Sequence, residues 1–279
     1  MNAGEVRNQG WELAASYFGT AGENFKFNIS ANVTNNTNEV LALPGIEGGQ
    51  IISGTRVLRV GEPLYSFYGL SFDGIYQNQE EIDNGPNPID GKTAPGYRRY
   101  EDLSGPDGEP DGRVDNNFDR DIIGNSFPRY VYGFNAQANF KGFDLLLTLS
   151  GIAGVDRTRP QNGNDPDQGN MLRSWLDRWS PTNPTNAFPL VGSDRLFSSW
   201  DLVDGSYLRL KVGELGYTVP KTLTQRWNIE RLRVYVSGTN LLTFTNYIEG
   251  FDPEKAASNR RSENYPLNRN YVFGVNLNF

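Results

Sequence analysis

The sequence predicts an all-β protein whose antiparallel strands build the wall of a transmembrane barrel. Three observations predict it. The chain ends on NYVFGVNLNF (270–279), where Tyr271, Phe273, Val275, Leu277 and Phe279 share one face of an extended strand and Val272, Gly274, Asn276 and Asn278 share the other. Short turns alternate with long loops, the asymmetry of barrels with periplasmic turns and extracellular loops. No run approaches the roughly 18 apolar residues of a membrane helix. The terminal segment alone fits a soluble sandwich equally well; the loop asymmetry favours the barrel.

Gly10–Phe18 reads as a strand with weak alternation. Phe25–Thr34 is cleaner, with Phe25, Phe27, Ile29, Ala31 and Val33 opposite Lys26, Asn28, Ser30, Asn32 and Thr34. The Gly-containing turn Gly19–Asn24 joins the two as a hairpin. A long loop is expected from Asn35 to about Glu62, then an aromatic extended stretch, Pro63–Gln77. The polar loop that follows, of roughly fifty residues, exceeds what compact domains usually carry and is expected to be ordered. Arg129–Phe140 and Phe143–Gly151 alternate again across the Lys141-Gly142 turn. Another long loop ends in a short helical piece, Met171–Trp179. In Asp204–Pro220, Leu208, Leu210 and Val212 hold one phase and Leu215, Tyr217 and Val219 the other, so a β-bulge is expected near Lys211–Gly213. A helical turn (Lys221–Trp227) leads to Arg231–Phe244 and then the final strand. The total is about eight strands of roughly ten residues.

Composition narrows function. A net charge of −7 offers nothing to a polyanion, so nucleic acid is not an expected partner. Cysteine and histidine are both absent, which removes disulfides, thiolate chemistry, Ser-His-Asp triads and HExxH zinc sites. The carboxylate pairs Glu80/Glu81 and Asp165/Asp167 sit in polar loops rather than flanking a cleft, so no enzyme is expected. The sharpest motif is DLSGPDGEPDGRVDNNFD (102–119). Around Gly112 it sets Asp107, Glu109 and Asp111 at alternate positions, followed by Asp115 and Asp119, a spacing of hard oxygens that suits calcium. A solvated acidic loop is the plainer reading. Trp175 and Trp179, with Trp200 near in sequence, are expected to pack beneath a loop rather than stack on sugar. Arg209 and Lys211 are expected to line a lumen or pair with acids.

Several stretches resemble the C-terminal barrel portion of SusC/RagA-type TonB-dependent outer-membrane transporters of Bacteroidetes. They are NAGEVRNQGWEL (2–13), GEPLYSFYGLSFDGIYQNQEEID (61–83), DRDIIGNSFPRYVYGFNAQANFKGFDL (119–145), DGSYLRLKVGELGYTVPK (204–221), RLRVYVSGTNLLTFTNYIEGFDPE (231–254) and FGVNLNF (273–279). The resemblance implies a barrel of about 22 strands around a plug. It also implies uptake of oligosaccharides or peptides with a SusD-like surface lipoprotein, TonB as energy source, residence in the cell outer membrane, and Phe279 as a terminal assembly signal. Residues 1–279 would then be a partial receptor barrel domain. The N-terminus shows no basic-then-apolar signal segment, and neither a TonB-contacting segment nor a plug is recognisable, so the true N-terminus is expected elsewhere. The alternative is a soluble or secreted calcium-dependent carbohydrate-binding β-protein, which would tolerate charge where a barrel needs a lipid belt.

Overall fold

A computed structural model describes residues 4–86, 93–159, 172–193, 196–248, 251–254 and 267–279. Among these, in chain order, lie β1 (Glu5–Ala21), β2 (Phe25–Ala42), β3 (Gln50–Ser53), β4 (Arg56–Arg59), β5 (Ser66–Leu70), β6 (Phe72–Ile75), α1 (Gln79–Asn84), β7 (Arg98–Tyr100) and β8 (Arg120–Gly124). They are followed by β9 (Tyr130–Phe140), β10 (Phe143–Ala153), β11 (Asp156–Thr158), β12 (Leu202–Asp204), β13 (Tyr207–Thr218), α2 (Lys221–Thr224), β14 (Arg231–Thr245) and β15 (Asn270–Asn278). The chain divides into two compact units, residues 1–7, 38–126 and 157–203 in one and 8–37, 127–156 and 204–279 in the other.

The second unit is a seven-stranded sheet in the order β1-β2-β9-β10-β13-β14-β15. Its register converts the alternation of single strands into two continuous faces. Phe25, Phe140, Phe143, Tyr217, Val234 and Val275 form one row across six strands. Phe27, Ala138, Leu145, Leu215, Val236 and Phe273 form the next. Opposed residues share a face, so these rows make one apolar surface. Aromatic rings collect at its turn end, with Phe143 and Tyr217 4.6 Å apart and Phe25 and Phe140 6.2 Å apart. The opposite face carries Lys26, Asn139, Asp144, Glu214, Ser237 and Arg233. Phe273 is 84 % exposed, so this unit does not bury its own apolar face; that face calls for an apolar surrounding. From Phe25 to Asn35 strand β2 spans about 33 Å at about 3.3 Å per residue. Tilted by roughly 40°, that is about 25 Å, the height of a barrel's lipid-facing band.

The bulge expected in β13 falls at Lys211. Thr148 and Leu149 of β10 pair with Val212 and Leu210, so Lys211 has no counterpart there. Beside it β14 pairs Leu242 with Leu210 and Thr239 with Val212, and Asn240 turns through φ 54°. The phase therefore resets one residue earlier than the sequence suggests, and Val212 joins the polar face instead of the phase of Leu208 and Leu210. Glycines on the polar face admit large neighbours. A Cβ at Gly216 would lie 2.4 Å from a guanidinium nitrogen of Arg233, and one at Gly274 would lie 2.1 Å from the Tyr235 ring.

The first unit has its own core, including Val57, Phe67, Leu70, Ile75, Tyr76, Tyr100 and three tryptophans. Its strands form a four-stranded sheet, β3-β4-β5-β8, and the pair β6-β7. Two expectations change here. Pro63–Gln77 is not one strand of the wall. It is two short strands of this unit, and all five residues of β5 are buried, so its apolar run reflects a core on both faces. The expected loop from Asn35 begins late, because β2 continues to Ala42. The Asn/Thr-rich stretch is held by side-chain bonds instead of an apolar face, such as Thr37 Oγ1 to the Gln9 carbonyl at 3.1 Å.

Candidate functional site

The polar face of the sheet carries two ion clusters. Arg233 reaches over Gly216 to the Asp144 carboxylate, its Nε donating at 3.0 Å, and to Glu214 at 2.6 Å. Lys26, Asn139 and Arg231 join these three around a concavity of about 650 Å³ at the turn end. The second cluster centres on Arg209, which is 1 % exposed. Its guanidinium donates to both oxygens of Asp252 at 2.9 and 2.8 Å, to Glu254 at 2.6 Å and to Thr243 Oγ1 at 3.0 Å. Lys211 also donates to Glu254, at 2.8 Å. The acids that Arg209 and Lys211 were expected to find are therefore Asp252 and Glu254, on the segment after β14. No local spacing in the sequence signals that pairing.

In the other unit the tryptophans pack as expected. Trp175, Trp179 and Trp200 are buried, and Trp175 lies 5.3 Å from Phe188 and 6.1 Å from Trp200. The helical piece is a 3₁₀ turn, Arg173–Asp177; Met171 lies outside the described residues. Indole nitrogens find acceptors: Trp179 donates to Gln77 Oε1 at 2.9 Å and Trp200 to the Ala187 carbonyl at 3.0 Å. Beneath them Arg98 and Asp201 form a buried ion pair at 3.0 Å. Arg99, the next residue, turns the other way and binds Asp73 at 2.9 Å beside a shallow depression lined by Glu80, Glu81 and Asn84. Glu81 serves α1, accepting from the Gln77 amide at 2.9 Å. Asp165 and Asp167 lie outside the described residues.

Burial raises the Asp201 carboxyl above its ordinary value of 3.8, against the opposing pull of Arg98 and the Ser198 amide. The folded turn thus holds this proton more tightly than the unfolded chain does. The stability Asp201 contributes is fully present below 3.8 and is lost as pH rises through the raised value. Hydrogen exchange of residues 198–204, compared between the parent and Asp201→Asn, should show the parent gaining protection relative to the variant as pH falls. A pH-independent difference would remove the titration of Asp201 as its cause.

The five candidate ligands of the 102–119 loop, Asp107, Glu109, Asp111, Asp115 and Asp119, do not fit a calcium ion as they stand. Among the described residues no three acidic groups gather as metal ligands. Asp119, fully buried, accepts from the amides of Leu103 at 2.7 Å, Ser104 at 3.1 Å and Asp115 at 2.6 Å. Asp115 accepts from Asn117 and Phe118, and Asp111 from Arg113. Asp107 and Glu109 lie on the exposed tip. Gly112 does take the tight-turn conformation expected of it, at φ 80°, but its amide goes to Asp102 at 2.6 Å. The spacing read as alternate metal ligands is in part a set of backbone acceptors.

No family model matches the chain. TonB-dependent receptor P3 of Formosa agariphila is 31 % identical over the whole chain, which spans 29 % of that receptor. The receptor SusC of Bacteroides thetaiotaomicron is 24 % identical over the whole chain, which spans 27 % of it. A chain of the RagAB peptide importer in its open-open state superimposes with a TM-score of 0.76 at 26 % identity, covering 99 % of this chain and 29 % of its own. The chain matches SusC/RagA-type TonB-dependent receptors along its whole length. It spans about three-tenths of the length of the relatives it matches. The SusC/RagA-type match agrees with the two-faced sheet, since these relatives are outer-membrane barrel proteins. They are receptors and transporters, not enzymes, and the absence of catalysis expected here rests on that.

Proposed function

We propose that this chain forms part of the wall and outer loops of a TonB-dependent importer in the outer membrane. The importer takes up oligosaccharides or peptides with a SusD-like surface lipoprotein, and TonB drives it through a part of the protein outside these residues. The continuous apolar face opposite a charged polar face carries this reading: a soluble carbohydrate-binding sheet has no use for rows of unburied apolar side chains running across six strands. The whole-length likeness to receptors and to a peptide importer supports it.

Uptake tests the function directly. Cells in which the gene is interrupted within this region should lose TonB-dependent uptake of a labelled oligosaccharide or peptide pool and regain it on complementation. Unchanged uptake of both pools would refute the proposal. The membrane face has its own test. Leu147→Arg, at the middle of the apolar face, should destabilise the protein in vesicles by about 2–4 kcal/mol, whereas Gln137→Arg on the polar face should be near neutral. Urea unfolding in the bilayer measures both, and equal effects would count against a lipid-facing surface.

A further inference from the structure

The connection between β13 and β14 is a helical turn, α2, continued by a 3₁₀ turn, Gln225–Trp227. It belongs to the turn end of the sheet, where the Thr218 amide donates to the Gly142 carbonyl at 2.8 Å. Thr224 faces inward and is fully buried, its carbonyl accepting from the Ile229 amide at 3.3 Å. Leu223 and Trp227, four residues apart and therefore on one side of the turn, face outward, 55 % and 68 % exposed. Lys221 and Arg226 flank them, and among the described residues neither forms an ion pair. Tyr217, only four residues before Lys221, belongs to the aromatic row of the apolar face and packs against Phe143 with the rings tilted. The exposed pair thus follows within ten residues of a surface already suited to lipid, where the chain leaves the sheet.

A bare tryptophan and leucine beside cations that find no ion pair among the described residues is costly in water. At a bilayer boundary the same set is satisfied: the indole and isobutyl groups enter the upper acyl region while the cations stay among phosphates. We propose that Lys221–Trp227 is a membrane anchor for this part of the wall, with Leu223 and Trp227 inserted at the headgroup boundary of the periplasmic leaflet and Lys221 and Arg226 binding anionic phospholipid headgroups. The proposal rests on the reading of the sheet as a membrane wall.

Brominated lipids test it, because bromine quenches only indoles within contact range. The protein from its own gene is reconstituted in vesicles carrying bromine near the top of the acyl chains, in phosphatidylglycerol or in phosphatidylcholine. The parent is compared with Trp227→Phe and, as a control, Trp11→Phe. Trp11 lies on β1 in phase with Tyr17, whose ring is 5.8 Å from Phe27 on the apolar face. The expected result is that Trp227→Phe removes a quenched component, larger in phosphatidylglycerol, and that Lys221→Gln with Arg226→Gln abolishes the difference between the lipids. If Trp11→Phe removes quenching and Trp227→Phe does not, the wall stands and the anchor falls. If neither removes quenching, the wall reading falls too. Quenching of Trp227 that is equal in both lipids overturns the headgroup site.

Discussion

Replacing Arg209 with alanine is expected to cost about 3–5 kcal/mol, the penalty for leaving a buried ion pair half-made. Asp252 would lose both of its bonds to the guanidinium, while Glu254 would keep Lys211. The segment Phe251–Glu254 should detach from β13, read as faster hydrogen exchange and easier proteolysis there, together with a lower urea midpoint in lipid. Arg209→Lys keeps the charge but not the planar fork that spans two carboxylates and a hydroxyl, so it should fall between parent and alanine variant. Adding Asp252→Asn and Glu254→Gln to an Arg209→Met background should recover much of the loss, since the stranded charge would be gone. An alanine variant within about 0.5 kcal/mol of the parent would mean that Arg209 is only a surface pair.

Asp119→Ala should be comparably damaging, about 3–5 kcal/mol, confined to the first unit. It strands the amides of Leu103, Ser104 and Asp115 in a part-buried setting, each costing about 1–3 kcal/mol when left unmade. Asp119→Asn keeps one acceptor oxygen and should lose about half as much. Exchange rates of residues 102–119 report both. The same samples examined with calcium and with a chelator should behave alike; slower exchange in calcium would return the ion to this loop.

What the sequence revealed, and what it hid, follows from where the apolar atoms go. Phe25–Val33, Tyr130–Phe140 and Phe143–Gly151 are legible because one face of each is apolar and the other polar, which is period-two alternation. Residues 35–42 continue the same strand yet carry no strand signal. Their pairing is enforced by the hairpin and by side-chain bonds, and neither leaves a periodic mark. Ser66–Leu70 misleads in the opposite way: a strand buried on both faces shows no alternation, and its place in the first unit depends on contacts far along the chain. The ion clusters were half-legible. Arg209 and Lys211 stood out as charges within a strand, but their partners lie 43 and 45 residues beyond Arg209. The acidic loop was visible as a turn rich in carboxylates; that its oxygens serve backbone amides was not, since a spacing fit for a cation also suits N–H groups converging on a tight bend.

The extra residue in β13 gives this strand something like a reading frame. Side chains alternate faithfully from Tyr207 to Leu210 and again from Val212 to Thr218, and Lys211 is the one position that stands outside the count. Removing Lys211 would sacrifice a bond to Glu254 yet leave Arg209 inward and Leu208, Leu210 and Leu215 outward. Removing Glu214 would shift the frame of one half against the other, turning either the arginine or the leucines toward the wrong phase. Changes of length in this wall are therefore tolerable at one address and ruinous a turn of the pleat away.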